Sequence, residues 1–188
     1  ILWGLGAHVL KVGLSPVLLD LMERGFVTGL ALNGAGIVHD FELAVAGQTS
    51  EEVDEGLGSG AFGMAAETGV EVNRAIVEGD RDGLGLGAAL GRYLEQRQPP
   101  HLAQSLLAAA HRRGLTATVH VAVGTDIVHM HPACDPAALG RASPEGARDA
   151  LGGGAALGRY LEQRQPPHLA HSLLAEAYRR RLPATVHV

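Results

Sequence analysis

A chain of 188 residues has the length of one domain, or of one domain and a fragment, and is long enough to bury a proper core. Hydrophobic residues make up 46% of it and aromatic residues only 4%, so that core must be built from Leu, Val and Ala. The net charge of -5 is mixed and contains no basic block, which argues against nucleic acid and anionic membrane as partners, and no apolar run is long enough to span a bilayer.

Ile1 to Leu5 reads as a short buried strand, already under way where the chain opens without Met, and the expectation is a fragment whose upstream segment is missing. It ends in the glycine turn Gly4-Leu5-Gly6-Ala7-His8. Ser15 is the expected N-cap of the next helix, with Pro16 at the first helical position, Val17, Leu18, Leu21 and Met22 as the apolar stripe and Gly25 as the stop. Phe26 to Leu32 follows as a strand, so residues 1 to 32 form a βαβ unit that should be parallel and right-handed. The apolar run then breaks at Asn33-Gly34-Ala35-Gly36. Helical spacing resumes from Gly36 to about Ala46, with Ile37, Phe41, Ala44 and Val45 on one face, His39, Asp40 and Glu42 off it, and Gly47 as the stop. A strand, a glycine turn and a helix N-terminus together aim backbone N–H groups and the positive end of a helix dipole at one spot, which suits a phosphate or carboxylate.

Gln48 to Gly60 is acidic and rich in glycine, a loop with one helical turn near Ser50-Glu51-Glu52-Val53. Phe62 to Glu78 has helical spacing. Gly83 to Gly91 alternates glycine with other residues and passes into a helix through Tyr93 and Leu94 that Pro99-Pro100 must end. Leu102 to Arg113 is an amphipathic helix closed by Gly114, and Thr116 to Val123 is a third strand, with Val119, Val121 and Val123 on one face, ending at Gly124-Thr125-Asp126. Residues 84–121 then recur, without gaps, as 151–188. The copies differ only at Leu86/Gly153, Gln104/His171, Ala109/Glu176, His111/Tyr178, Gly114/Arg181 and Thr116/Pro183. Solenoid units drift around a consensus, so identity this high marks a duplicated or assembled segment instead. The division of the chain is therefore 1–143 as a partial α/β domain, 144–150 as a junction, and 151–188 as a near-duplicate bringing two helices and a strand.

Three strand ends carry small or polar residues: Gly6 in the first turn, Asn33 to Gly36 in the second, and Gly124, Thr125 and Asp126 in the third. In an open parallel sheet such turns converge on a crevice beyond the carboxyl ends of the strands, where nucleotides bind. Glycine turns are also simply how short βα loops are made, and His39 stands where the dinucleotide fingerprint has its third glycine. The run Gly83-Leu84-Gly85-Leu86-Gly87 follows charged residues, not a strand, and does not qualify. His39 and Asp40 lie close enough to the turn to touch a ligand, whereas Glu42 reads as a solvated or capping group. His120, His129, His131 and Cys134, with Asp126 and Asp135 nearby, can be read as a zinc site, but no fourth ligand has a familiar spacing, and no metal is assigned. Polar work by His129 or His131 beside a cofactor fits the pattern better. Cys134 is the single cysteine, which excludes an internal disulfide and fits a reducing cytoplasm, the expected location; it has no neighbouring base to activate it. Lys11 is the only lysine and hence the only imine-forming amine.

Three stretches, Gly6 to Pro16, Asn33 to Glu42 and Thr118 to Pro132, together resemble bacterial deoxyhypusine synthase-like proteins over residues 1 to about 143. The resemblance implies a Rossmann-like α/β fold, an open, mostly parallel sheet with helices on both faces, NAD as cofactor, and a homotetramer with active sites between subunits. It implies NAD-dependent transfer of an aminobutyl or aminoalkyl group from a polyamine such as spermidine, through a lysine imine, to a protein lysine, the hypusine-forming chemistry. Asn33, Gly34, Ala35 and Gly36 would then line the NAD site, Asp40 and Glu42 would match the acidic pair after the glycine turn, and Thr125 with Asp126 would match a Thr-Asp turn at the cofactor. Catalytic work would fall to His129, His131 and Asp126. The family's imine lysine sits in a Trp-Gly-Lys context near its C-terminus. Here the duplicated block stands in that region, the only Trp is Trp3, and Lys11 does not match by position. The transferase is therefore expected in an impaired form, with two alternatives: a non-catalytic NAD-binding remnant, and a metal-dependent hydrolase using His129 and His131.

Overall fold

In a computed structural model, three parallel strands carry the domain: β1 (Leu2–Leu5), β2 (Gly29–Asn33) and β3 (Thr116–His120), in the spatial order β1-β2-β3. The structure describes residues 1–49, 66–143, 162, 163 and 179. Between and after the strands lie α1 (Ala7–Lys11), α2 (Ser15–Glu23), α3 (Gly34–Ala46), α4 (Ala66–Arg81), α5 (Leu86–Arg97), α6 (Leu106–Arg112) and α7 (Pro136–Ala142), with 3-10 turns at Leu102–Gln104 and Ile127–Met130. The expected loop turn near Ser50 and nearly all of the 151–188 duplicate lie outside the described residues. The α/β class expected from the alternating pattern is what the chain adopts.

One face of the sheet is the core face. Leu5, Leu30, Leu32, Ala117 and Val119 are buried there among Ile37, Phe41, Leu90, Leu94, Leu106 and Leu107. On the other face Leu2, Ala31, Thr116, Thr118 and His120 are only half-buried and Gly4 is exposed. Helices were expected on both faces; among the described residues the core fills one. Right-handed crossovers explain this, because strands added always in the same direction put every connecting helix on the same side. The same sequence of strands leaves no reversal of strand order among the described strands. In open α/β sheets that reversal is what creates the ligand crevice.

Several element boundaries moved for identifiable reasons. The N-cap of α2 is Leu14, not Ser15, which lies inside the helix with its hydroxyl buried and unpartnered among the described residues. β2 starts at Gly29 because the N–H groups of Phe26 and Val27 close the end of α2 on the Leu21 carbonyl, at 2.9 and 3.2 Å. Gly47 ends α3 in the left-handed conformation, as its position predicts. The expected helix over Leu102 to Arg113 is broken at Ser105, whose backbone is extended. β3 ends at His120, since the next N–H, from Val121, bonds to Ser143 Oγ at 3.1 Å, and Val123 is exposed.

Glycines set how closely the helices dock. A Cβ at Gly87 would lie 2.1 Å from the Ala117 carbonyl oxygen, and one at Gly91 2.5 Å from that of Leu107. The glycine alternation of 83–91 is thus a docking surface that lets α5 lie directly on β3 and α6. α7 is fastened to α4 by the Arg141 guanidinium, which donates to both oxygens of Asp80 at 2.8 to 3.2 Å.

Candidate functional site

Parallel pairing places the carboxyl ends of the three strands along one edge, with Leu5 beside Leu32 and Asn33 beside His120. There the chain turns from β2 directly into α3. Asn33 is the N-cap, and its Oδ1 accepts from Gly36 N at 2.9 Å. Gly34, the first helical residue, is buried against the turn after β3: a Cβ on it would fall 1.8 Å from Asp126 Oδ2. The glycine lets the carboxylate approach this closely; a side chain here would push Asp126 aside. The structure brings the second and third of the expected walls, Asn33 to Gly36 and Gly124 to Asp126, into contact. Gly6 caps α1 at the end of the neighbouring strand and is exposed.

Asp126 lies against the first residue of α3. Its negative charge at the α3 N-terminus complements the positive end of the helix dipole. Its own turn holds it in place through a capping box with His129. His129 Nδ1 accepts from the N–H of Gly124 at 3.1 Å and of Asp126 at 3.2 Å, so that nitrogen carries no proton and the ring is the Nε2–H tautomer. Nε2 lies 3.9 Å from Asp126 Oδ2. Burial pushes the imidazole below its usual range against the opposing pull of Asp126, and burial pushes the Asp126 carboxyl up, with His129 opposing. His129 is thus a neutral, nearly enclosed ring whose only lone pair is occupied by the loop it organises, a positioning role in place of the expected catalytic one. His131 bonds its Nδ1 to the N–H of Ala133 at 3.1 Å and lies against Gly69 of α4. Thr125 donates its hydroxyl to the Ala122 carbonyl at 2.8 Å.

His39, Asp40 and Glu42 do not reach this edge as expected. All three are buried, because α3 is packed on nearly all sides and not on one stripe. Asp40 is fully enclosed and serves α6: its Oδ1 accepts from Leu106 N at 2.7 Å, and its Oδ2 accepts from Ser105 Oγ at 2.6 Å and Leu107 N at 3.2 Å. A carboxylate 65 residues away in sequence from Ser105 caps that helix and breaks the expected longer one. Burial raises Asp40 to about 6, with the three donors opposing. Glu42, expected to be solvated, is buried with His39 Nδ1 3.2 Å from its Oε2.

Residues that the sequence did not single out complete the picture. Asn73 of α4 donates to the carbonyls of Gly69 at 2.8 Å and Val128 at 2.9 Å, fastening the Asp126 turn to α4. Ser105 was hidden inside an apparently continuous apolar helix; the Ser before Leu106-Leu107 was the available signal. Among the described residues no three His, Cys, Asp or Glu side chains group to hold a metal ion. Cys134 is half-buried, and burial with the nearby Asp135 raises its thiol, so it stays protonated. Lys11 closes α1. No described helix is long and apolar enough to cross a membrane. No family model matches this chain, and no curated protein matches it.

Proposed function

We propose that the chain is a Rossmann-like, NAD-binding domain of the deoxyhypusine synthase-like kind, taking its cofactor at the carboxyl edge of the sheet. The observation that supports this reading is the meeting of Asp126 with the Asn33-Gly34 turn: two stretches carrying the resemblance, more than 80 residues apart, form one wall. The fit is partial, and it limits how a dinucleotide can lie. A pyrophosphate does not fit the α3 N-terminus in this arrangement, because Asn33 already takes one N–H and the Asp126 carboxylate would repel it. Asp126 suits the opposite partner, a ribose diol, which donates hydroxyl protons to a carboxylate. The residues that would hold the cofactor are Asp126, Asn33 and the backbone of Gly34 and Ala35.

The aminoalkyl transfer from a polyamine is the reading for the family, and this chain carries it only in impaired form. Its one lysine ends α1, and neither His129 nor Asp40 is available as a base at the sheet edge. The second reading, an NAD-binding remnant without turnover, is favoured by those same observations. A homo-oligomer, a tetramer in the family, is supported by apolar side chains left exposed: Trp3 on β1, Val17 on α2 and Phe26 after α2.

Calorimetric titration of NAD into the full chain tests the reading. Saturable heat is expected, reduced at least about 10-fold in affinity by Asp126→Asn, which keeps the side-chain shape and removes the charge. Absence of heat at millimolar NAD sinks cofactor binding. Turnover with spermidine then separates the transferase from the remnant.

A further inference from the structure

Away from the sheet edge, α3, α4 and α5 border a cavity of about 610 Å³, a size that takes a small organic molecule. Its walls are apolar: Phe41 and Val45 from α3, Val70 from α4 and Leu94 from α5. The charged groups beside it leave no buried counter-charge for a ligand. The Tyr93 hydroxyl donates to Glu71 Oε2, and Arg97 donates through Nε and Nη2 to the Tyr93 oxygen at 3.1 and 2.9 Å and through Nη2 to Glu71 Oε2. Arg74, off the lining, donates to Glu71 Oε1 at 2.9 Å, so both oxygens of Glu71 are occupied. Arg97 is answered by Glu71, and Glu78 adds its negative charge. Glu67, the other carboxylate on the lining, is exposed in the first turn of α4, where water and the helix dipole satisfy it. One polar side chain on the lining differs from these. Thr68 is only 8% exposed, and its hydroxyl makes no hydrogen bond among the described residues.

We propose that this cavity binds a small uncharged molecule with an apolar body and a single hydroxyl or carbonyl oxygen, of the phenol, alcohol or ketone class. The oxygen pairs with the Thr68 hydroxyl, which can both donate and accept, and the body lies against Phe41, Val70 and Leu94. A carboxylate or an ammonium group would shed its water here with no buried opposite charge left unpaired to replace it, a cost that a neutral oxygen avoids. A hydrocarbon would leave the Thr68 hydroxyl dry and unpaired. Nothing at the sheet edge lines this cavity, and the proposal stands apart from NAD binding.

The test compares 2-naphthol, 2-naphthoate and 2-naphthylmethylamine, which share one apolar body, in calorimetric titrations of the full chain at neutral pH. 2-Naphthol is expected to bind saturably and the two charged molecules at least about 10-fold more weakly. Thr68→Val, which keeps the side-chain shape and removes the hydroxyl, should weaken 2-naphthol about 5-fold, and Thr68→Ser should recover most of that loss. Val70→Phe, which grows into the cavity, should abolish binding, and the urea unfolding midpoint of each variant shows that the fold is kept. Equal binding of either charged molecule, 2-naphthol binding unchanged in Thr68→Val or in Val70→Phe, or no saturable 2-naphthol binding at millimolar concentration overturns the proposal. NAD titration of Thr68→Val, expected to match the parent chain, keeps this result separate from the sheet-edge reading.

Discussion

Residues 84–121 and 151–188 carry nearly the same sequence, yet four of their six differences fall where the first copy is most demanding. Leu86 and Ala109 are buried in the core, Gly114 has a left-handed φ of +63°, and Thr116 opens β3 opposite Gly29. The second copy has Gly153, Glu176, Arg181 and Pro183 at those positions. What it keeps is local. The ion pair between Glu95 and Arg112, which joins α5 to α6 at 3.3 Å, recurs between Glu162 and Arg179 at 2.7 Å. It also keeps Ser172-Leu173-Leu174, the counterpart of the Ser105-Leu106-Leu107 run that Asp40 caps, although the chain holds one Asp40. Pairing between two helices and fitting them into a domain are therefore separate demands: the ion pair is common to both copies, whereas the four residues that fit the first copy into its surroundings are not kept in the sequence of the second.

Transplanting second-copy residues into the first, and removing the cap that only the first receives, should expose that difference, in order of expected cost. Ala109→Glu puts a carboxylate into the packed side of α6 and should lower the stability by about 3 kcal/mol or more, read from the guanidinium unfolding midpoint. Leu86→Gly should cost about 3 kcal/mol, the loss of a fully buried Leu plus the helix penalty of Gly; a loss below about 1 kcal/mol would show that the α5 start is not anchored. Asp40→Asn, which weakens the cap that only the first copy receives, should cost about 1 to 2 kcal/mol at neutral pH. The same carboxyl has a pH signature. Its folded value, about 6, lies above its unfolded value of 3.8, so the folded state holds a proton that the unfolded state has released. The corresponding stability is fully present below about pH 4, falls as pH rises to about 6 and then levels off, a change of about 2 to 3 kcal/mol. Asp40→Asn should remove that slope in urea unfolding measured across the range. Gly114→Arg forces a side chain onto a left-handed residue in open space and should cost about 1 kcal/mol. His111→Tyr, at an exposed position, should stay within about 0.5 kcal/mol and serves as the control.

Where the chain's meaning is local, its residues declare it. The helix start after the second glycine turn, the αL stop at Gly47, the βα turns and the three strands follow from hydrogen-bond and backbone preferences that act within a few residues, and they stand close to where the pattern puts them. The acidic residues of α3 were misread because periodicity reports one buried stripe, whereas a helix enclosed by α1, α4, α5 and α6 buries its polar side too. Once dry, Asp40 needs donors, and only the fold supplies them, from the far end of another helix. The sheet edge divides in the same way. Sequence alone placed Asn33-Gly34 and Thr125-Asp126 at strand ends, by turn chemistry. Tertiary structure alone decided that Asp126 fills the α3 N-terminus, that His129 spends its lone pair on its own turn, and that the core lies on one face of the sheet. These depend on contacts between residues far apart in the chain, which no local pattern encodes.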